Sequence, residues 1–415
     1  MNRISTDILI VGGGAAGLSA AVEASAKAKV TNVDDNPNLG GQIWRAELGK
    51  VKSSEAKHLI EQIDVGKVQI INNAQVFGSN GVDKLLAETT DGNLELRFEK
   101  LIIATGARER FLPFPGWTLP NVLGGGGLQA LVKGGLNIDG KRVVVAGTGP
   151  LLLAVADYLN AKGAEVLLIA EQTSAAKLRR FARGLWRQPA KMIEAAALRA
   201  RLVGIPYKTD CWVTSADVSS SSRVLRSVSV FRNGITRTVE CDYLACGFHL
   251  VPNTELASLL GARIENGFVA VDEFQHTSLE NVYCAGEPTG IAGVESSLIE
   301  GKIAGLAGSG QPDSARSHFA ARDKVRRFGE ALNKAFGLRS ELKTLAEADT
   351  IVCRCEDVKY KQLSEYGNSR EAKLQARCGM GSCQGRVCGP ATEFIFGWKP
   401  GSVRPPIFPV KLKNL

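Results

Sequence analysis

The sequence predicts an α/β protein that contains two strand–loop–helix units and a small cysteine-rich module near its C-terminal end. A buried-strand pattern followed by a glycine-rich turn and a helix occurs at residues 7–21 and again at residues 141–152. Five of the nine cysteines lie between Cys353 and Cys388. With 415 residues and 44% hydrophobic composition, the chain is expected to form two or three compact domains.

The bulk composition argues against several classes of protein. No apolar run reaches membrane-spanning length, and the first strand pattern begins too near Met1 for a signal peptide, so a cytoplasmic protein is expected. The net charge is +9, and the densest basic stretch covers residues 177–201. This stretch predicts an amphipathic helix with a solvated basic face, and a docking face for an anionic partner is the alternative. No nucleic-acid motif accompanies it, so no nucleic-acid partner is expected.

The first unit carries a dinucleotide-binding fingerprint. Its loop reads Gly12-Gly13-Gly14-Ala15-Ala16-Gly17. Gly12 permits the tight turn, Gly14 lets the backbone approach a pyrophosphate, and Gly17 lets the helix pack on the strand. The next strand ends at Asp34, near the spacing expected for a carboxylate that binds a ribose hydroxyl, and Asp35 is the alternative.

Three further segments resemble the flavin-contacting segments of the two-dinucleotide-binding flavoproteins. They are Leu39-Gly40-Gly41-Gln42-Ile43-Trp44-Arg45, Leu101-Ile102-Ile103-Ala104-Thr105-Gly106-Ala107 and Val282-Tyr283-Cys284-Ala285-Gly286-Glu287. The resemblance implies bound FAD, with Glu287 at the ribityl chain where Asp is commoner. The residues implied to bind FAD are Gly12, Gly14, Ala15, Ala16, Gly17, Asp34, Gly41, Gln42, Ala104, Thr105, Gly106, Gly286 and Glu287.

The second strand–loop–helix unit resembles the inserted nicotinamide-nucleotide domain of the same superfamily. Its second strand ends at Glu171, which disfavours a 2′-phosphate. Leu152 stands at the third glycine position and weakens the case for a bound pyrophosphate, so a fold retained without nucleotide is favoured over a working NAD site. No Cys-x-x-Cys pair occurs, and dithiol exchange is not expected. None of the four histidines lies in a motif, and no catalytic residue is assigned.

The C-terminal cysteines have the spacing of a cluster site. A Cys353-Arg354-Cys355 pair is followed by Cys378-Gly379-Met380-Gly381-Ser382-Cys383-Gln384-Gly385-Arg386-Val387-Cys388. Two thiolate pairs satisfy a 2Fe-2S cluster, whereas a zinc site and a metal-free module are the competing interpretations. The stretch resembles the bacterioferritin-associated-ferredoxin-like domain, and that resemblance implies Cys353, Cys355, Cys383 and Cys388 as ligands. An exchange of Cys378 for Cys383 stays open.

Nearly the whole chain resembles the alpha-type subunits of heteromeric dye-linked dehydrogenases. The group includes the A subunits of opine oxidases, the alpha subunits of D-hydroxyproline and L-proline dehydrogenases, and the B subunits of hydrogen cyanide synthases. The segments that fit it, besides the motifs above, are Trp44-Arg45, Ala107-Arg108-Glu109-Arg110, Pro113-Phe114-Pro115-Gly116-Trp117 and Ser402-Val403-Arg404-Pro405-Pro406. The resemblance predicts a two-dinucleotide-binding flavoprotein fold with a small helical 2Fe-2S domain.

The same resemblance implies a division of labour between subunits. A partner beta subunit with its own flavin would oxidise a secondary amine or imino acid of the hydroxyproline, proline or opine type, and a small gamma subunit is a further candidate partner. This chain would relay the electrons through FAD and the cluster to an acceptor that the residues do not identify. The complex is also a candidate for membrane association. The alternatives are a self-contained NADH-dependent reductase and a non-catalytic redox sensor that docks through the basic stretch.

The motifs also predict domain boundaries. The FAD domain is expected to be discontinuous, at residues 1–110 and 265–310, with the nicotinamide-nucleotide-like domain inserted at 111–264. A connector at 311–348 leads to the 2Fe-2S domain and C-terminal tail at 349–415. The prolines of the tail indicate an extended segment that either wraps the body or contacts a partner, and wrapping is favoured.

Overall fold

A computed structural model describes residues 2–63, 66–185, 188–218, 223–399 and 401–414. The chain divides into two compact units. The first comprises Met1–Arg108, Pro252–Glu330 and Ser402–Leu415, and the second comprises Glu109–Val251 and Ala331–Gly401. These units are defined by packing, and the functional domain boundaries given above stay a prediction.

A helix follows the strand Asn2–Val11 and another follows the strand Arg142–Thr148, as the repeated strand–loop–helix pattern predicts, whereas many of the other strands follow one another directly. The strands are β1 (Asn2–Val11), β2 (Val30–Val33), β3 (Val68–Ile71), β4 (Gln75–Ser79), β5 (Lys84–Thr89), β6 (Gly92–Ile103), β7 (Ala107–Glu109), β8 (Val122–Leu123), β9 (Arg142–Thr148), β10 (Glu165–Glu171), β11 (Tyr207–Lys208), β12 (Cys211–Val218), β13 (Leu225–Arg232), β14 (Ile235–Glu240), β15 (Tyr243–Phe248), β16 (Leu250–Pro252), β17 (Ile264–Glu265), β18 (Phe268–Val269), β19 (Val282–Cys284), β20 (Ile351–Cys353) and β21 (Val358–Lys359).

The helices start in different ways: some follow a glycine-rich segment, and the side chains of Ser53, Ser174 and Asn368 cap others. They are α1 (Ala15–Ser25), α2 (Ser54–Gln62), α3 (Gly125–Lys133), α4 (Leu151–Ala161), α5 (Ala175–Gly184), α6 (Pro189–Arg201), α7 (Glu255–Leu260), α8 (Val294–Gly308), α9 (Pro312–Arg316), α10 (Phe319–Ala335), α11 (Tyr360–Leu363), α12 (Ser369–Ala376) and α13 (Cys388–Phe396), with 3₁₀ turns at Ser340–Thr344 and Leu412–Asn414.

The first unit is organised around a sheet with the order β3-β2-β1-β6-β5-β4, and β19 also pairs with β6. β1, β2, β3, β6 and β19 are parallel, whereas β5 runs antiparallel to its neighbours. Leu9 and Ile10 in β1 are fully buried, as expected for a parallel strand covered on both faces. Helices α1 and α8 pack together on this sheet, and Gly301 permits the contact because a Cβ there would lie 2.1 Å from the Ala16 carbonyl oxygen.

The second unit contains a parallel sheet with the order β11-β10-β9-β15-β8 and an antiparallel sheet with the order β12-β13-β14. The cysteine module belongs to this unit. The Trp117 indole N–H donates to the Ile351 carbonyl oxygen at 2.6 Å, and the Arg354 guanidinium lies 5.5 Å from the centre of the Trp117 ring. The module therefore packs directly on the inserted domain.

The C-terminal tail packs on the first unit. The Ile407 N–H donates to the Phe77 carbonyl oxygen at 2.8 Å, and the Ile407 side chain is buried. The Asn414 side-chain amide donates to Glu88 at 2.6 Å. Of the two possibilities left by the sequence, the structure favours a tail that wraps the body.

The basic stretch forms α5 and α6, and residues 186–187 between them lie outside the described residues. Arg179, Arg180 and Arg183 are exposed on α5, and that helix has no buried residue. The structure thus has the solvated basic face that the charge pattern predicts. Across the part of the chain that is described, no helix combines the length and the apolar character that a membrane crossing requires.

Candidate functional site

The glycine loop between β1 and α1 forms a cradle in which one glycine, Gly14, has room for a Cβ. A Cβ on Gly12 would lie 2.2 Å from the Ala104 carbonyl oxygen, and a Cβ on Gly17 would lie 1.8 Å from the Gly12 carbonyl oxygen. Packing within the protein therefore excludes a side chain at both positions. A Cβ on Gly14 would meet nothing closer than the Gly41 Cα at 3.8 Å. The space beside Gly14, at the start of a helix, suits a phosphate group and fits a dinucleotide.

Asp34 stands where a ribose-binding carboxylate is expected. It follows β2, and its side chain is buried. One carboxylate oxygen accepts a hydrogen bond from the Gly13 N–H, and the other accepts two hydrogen bonds from Asn36 at 2.8 Å. Burial and the charge of Asp34 raise the pKa of Asp35. Asp34 is thus the carboxylate bonded to the glycine loop, and Asp35 lies beside it.

The segment around Gly41 is fixed to the same loop. The Gly40 N–H donates to the Gly13 carbonyl oxygen at 2.8 Å, and the Trp44 N–H donates to the Gly40 carbonyl oxygen at 3.1 Å. The Trp44 side chain is buried, whereas Gln42 is exposed and accepts a hydrogen bond from Arg45 at 3.0 Å. This places Gln42 at the surface edge of the cradle and Gly41 directly opposite Gly14.

Asn253 holds the Ala104–Gly106 segment at the end of β6. The Thr105 hydroxyl donates to the Asn253 carbonyl oxygen at 2.7 Å, and the Asn253 side chain donates back to the Thr105 carbonyl oxygen at 2.9 Å. The Asn253 N–H also donates to the Gly106 carbonyl oxygen at 2.9 Å. These reciprocal bonds fix a backbone turn that would border a bound flavin.

A buried carboxylate fixes the Gly286–Glu287 turn. Glu300 on α8 is 1% exposed and accepts from the Gly286 N–H at 2.9 Å and from the Thr289 hydroxyl at 2.7 Å. Its other oxygen pairs with the Arg326 guanidinium at 2.7 Å. Burial, with a further contribution from the Glu300 charge, raises the pKa of Glu287 to about 7. The Glu287 carboxyl can therefore take up or release a proton near neutral pH.

No sequence motif points to Glu300, Arg326 or Gln275. Gln275 is fully buried and accepts a hydrogen bond from Arg326 at 2.9 Å. The three residues come from three separate elements, and neither spacing nor periodicity links them. The sequence of α8 does not single out Glu300, because Glu295 and Lys302 also interrupt its apolar residues.

Replacing Arg326 by alanine is expected to weaken the first unit. Loss of one partner of a buried ion pair costs about 3–5 kcal/mol. Arg326 is partly exposed, and Glu300 keeps three other donors, Gly286, Thr289 and Ser296, so the expected loss is about 2–3 kcal/mol. The temperature at which FAD is released, followed by flavin fluorescence, should fall by about 5 °C or more. Arg327→Ala removes an exposed cation from the neighbouring position and is the matched control. Equal shifts in the two variants would contradict the role of the ion pair.

The cysteine module brings five thiols together. The sulfur atoms of Cys353, Cys378 and Cys388 lie within 4.8 Å of one another, and all three residues are buried. Hydrogen bonds from the Cys378 and Cys388 thiols lower the pKa of the Cys353 thiol well below its ordinary value. Cysteine sulfur is a soft ligand, and three buried sulfur atoms this close together have the donor chemistry of a soft-metal site.

A cavity of about 330 Å³ opens beside these thiols. It is lined by Cys353, Arg354, Cys355, Ser382, Cys383, Val387 and Cys388. All four cysteines expected as ligands line this cavity, while Cys378 lies against Cys353 and Cys388. Gly381 permits the approach of the loop, because a Cβ there would lie 2.2 Å from the Cys355 Cβ. The volume and the thiols fit a small iron–sulfur cluster, and the choice between Cys378 and Cys383 stays open.

The other four cysteines lie outside the module and are buried. Burial raises the pKa of Cys241 to about 12, and it also raises the pKa values of Cys211, Cys246 and Cys284. These residues have the character of buried apolar side chains.

Comparison with known proteins places the chain in a family. The profile of the pyridine nucleotide-disulphide oxidoreductase family matches residues 6–308, which is most of the chain. The chain belongs to this family.

Several relatives of this pyridine nucleotide-disulphide oxidoreductase are similar over nearly its whole length. Hydrogen cyanide synthase subunit HcnB of Pseudomonas aeruginosa is 30% identical, with 92% of this chain and 90% of the relative covered. The opine oxidase A subunit of Rhizobium meliloti is 29% identical, with 99% and 87% covered. The crystal structure of L-proline dehydrogenase from P. horikoshii superposes with a TM-score of 0.68 over 100% of this chain and 80% of that one, at 19% identity.

Family membership and the cradle together make the chain an FAD-dependent oxidoreductase with the two-domain fold of these flavoproteins. Its sequence holds no Cys-x-x-Cys pair, and no cysteine pair follows Gly40-Gly41.

The inserted domain retains the second glycine loop of a pyridine nucleotide-disulphide oxidoreductase. A Cβ on Gly147 would lie 1.8 Å from the Gly247 carbonyl oxygen, so the turn still requires glycine. Glu171 is fully buried and accepts from the Gly149 and Thr173 N–H groups at 2.8 Å. Burial raises the pKa of Glu171. Leu152 is buried in the core of this domain.

Proposed function

We propose that the chain is the electron-relay subunit of a heteromeric dehydrogenase or oxidase that acts on a secondary amine or imino acid of the hydroxyproline, proline or opine type. The observation that carries the proposal is that one chain holds both a glycine cradle that fits FAD and a thiol-lined cavity that fits a 2Fe-2S cluster. The names of the relatives support it, since two are subunits of multi-subunit enzymes and a solved relative is an L-proline dehydrogenase.

Each part of the cradle would have its own task. The loop Gly12–Gly17 would hold the pyrophosphate, and Asp34 would bind a ribose hydroxyl. The turns at Ala104–Gly106 and Gly286–Glu287, held by Asn253 and by the Glu300–Arg326 pair, would border the flavin. Bound FAD would supply two-electron redox chemistry, and a cluster held by Cys353, Cys355, Cys383 and Cys388 would supply one-electron chemistry.

The amine would be bound and oxidised by a partner beta subunit with its own flavin, and a small gamma subunit would complete the complex. This assignment explains why no substrate base could be chosen from the sequence of this chain. The cavity at the cysteine module opens to the surface through the exposed Cys355, which suits transfer to an external acceptor.

The proposal is tested by anaerobic co-purification with the products of neighbouring genes. The complex should show flavin absorbance, a reduced 2Fe-2S signal by low-temperature EPR, and reduction of an artificial dye that depends on proline, hydroxyproline or an opine. The isolated chain, assayed in parallel, should retain flavin and cluster but reduce no dye with these amines. Amine oxidation by the isolated chain, or a colourless zinc-loaded module, would overturn the proposal.

A further inference from the structure

The segment Phe336–Arg339 lies across the glycine loop of the inserted domain. The Thr148 hydroxyl lies 3.1 Å from the Phe336 carbonyl oxygen, and the Gln172 side-chain amide donates to the Gly337 carbonyl oxygen at 3.3 Å. In return, the Arg339 N–H donates to the Gln172 side-chain oxygen at 3.2 Å, and the Arg339 guanidinium donates to the Gln172 carbonyl oxygen at 3.1 Å. Hydrogen bonds in both directions therefore join this segment to the ends of β9 and β10.

Side-chain packing reinforces these hydrogen bonds. The Phe336 ring is buried and meets the Phe181 ring edge-on, with 5.7 Å between ring centres. The Arg339 guanidinium lies 4.1 Å from the centre of the Trp212 ring, a distance typical of a cation–π contact. Leu338 packs against the core of the second unit. Side chains at both ends of the segment, Phe336 and Arg339, therefore pack against the domain.

The groups that the segment contacts, the Thr148 hydroxyl and Gln172, lie next to the groups that would recognise a dinucleotide. In this fold the glycine loop faces the pyrophosphate, and the carboxylate at the end of the second strand binds the adenosine ribose. Here that carboxylate, Glu171, is fully buried and bonded to Gly149 and Thr173, while Thr148 and Gln172 face the connecting segment. The Thr148 hydroxyl and the Gln172 side chain are thus hydrogen-bonded by residues 336–339 at the edge of the place where the adenosine ribose would lie.

We propose that the segment Phe336–Arg339 occupies the nucleotide cleft of the inserted domain. This domain then holds the cysteine module and does not bind a nicotinamide nucleotide. The same connector continues to the module, which is fixed to the domain by Trp117 and Ile351 and by a hydrogen bond from Arg110 to the Pro390 carbonyl oxygen at 3.2 Å. The proposal does not depend on which amine the complex oxidises.

The proposal makes nucleotide binding and connector docking mutually exclusive. If the cleft is open in only about 1% of molecules, the apparent dissociation constant of a nucleotide rises about 100-fold above its intrinsic value. Arg339→Ala removes the guanidinium contacts with Trp212 and Gln172 and should raise the open fraction. Lys334→Ala, which removes an exposed cation from the same connector, is the matched control.

The first measurement is a calorimetric titration of the full-length protein with ADP-ribose. Wild type and Lys334→Ala should show no binding at millimolar ADP-ribose, and Arg339→Ala should bind with a dissociation constant at least about tenfold below the highest concentration tested. Equal, measurable binding to wild type and Arg339→Ala would overturn the proposal, as would bleaching of the bound flavin of wild type by NADH under anaerobic conditions.

If no variant binds ADP-ribose, hydrogen exchange tests whether the segment covers the cleft. In Arg339→Ala, exchange should accelerate at residues 336–340 and also at residues 147–150 and 171–173, because the two sides protect each other. Lys334→Ala should exchange like wild type in all three segments. Acceleration confined to residues 336–340 would show that the connector does not cover the cleft and would overturn the proposal.

Discussion

A Gly14→Ala variant is expected to fold normally and to lose FAD. Gly14 has an ordinary extended backbone, and a Cβ there would meet no protein atom closer than 3.8 Å. The added methyl group would instead occupy the space beside the helix start that a pyrophosphate needs. FAD affinity should fall roughly 100-fold, which corresponds to about 3 kcal/mol. Flavin content after gel filtration and fluorescence titration of the FAD-free protein would measure this effect.

Gly17→Ala is the matched comparison for Gly14→Ala. Its Cβ would lie 1.8 Å from the Gly12 carbonyl oxygen, so α1 would have to move away from β1. The free energy of unfolding of the FAD-free protein should therefore fall by about 3 kcal/mol or more. The two variants should thus separate ligand binding from folding. If Gly14→Ala destabilised the FAD-free protein as much as Gly17→Ala, the space beside Gly14 would not be a ligand site.

Serine substitutions in the cysteine module are expected to remove the cluster selectively. In Cys353→Ser, Cys355→Ser, Cys383→Ser and Cys388→Ser, the iron content should fall below about one tenth of the wild-type value, because a 2Fe-2S cluster in this module needs four thiolates. Cys378→Ser should keep its iron and its EPR signal. Cys241→Ala, a buried thiol outside the module, is the control for general destabilisation. Flavin content should stay unchanged in every variant.

Cys378 and Cys383 form the decisive pair in that series. Cys378 lies within 4.8 Å of Cys353 and Cys388, whereas Cys383 lines the cavity together with Cys355. Loss of the cluster in Cys378→Ser with retention in Cys383→Ser would reassign the fourth ligand. Retention of iron in all five variants would show that the module is not the iron site.

The local motifs of both units could be predicted from the sequence because each motif lies within one short stretch. Gly12 to Gly17 determine a turn and a helix start among themselves, and Asp34 follows at a fixed distance along the chain. The cysteine spacing likewise keeps Cys353, at the end of β20, close to Cys355 in the turn that follows. In these places a residue type and its position are sufficient to indicate the conformation and the chemistry.

The long-range arrangements could not be predicted in this way. Glu300, Arg326 and Gln275 meet from three elements, and the amphipathic pattern of α10 does not indicate which of its cations turns inward. Phe336 and Arg339 meet residues more than 160 positions earlier in the chain. Such contacts form only when whole units pack, and no spacing or periodic pattern in the sequence indicates them.

The contacts of Phe336–Arg339 also have a consequence in terms of effective concentration. A segment tethered beside its own site competes as though it were present at about millimolar concentration or higher, and it cannot be diluted or washed away. A free nucleotide would have to compete with this effective concentration, which stays the same at every nucleotide concentration in solution. Closure of the cleft is therefore a property of the covalent chain and does not change with the supply of nicotinamide nucleotides.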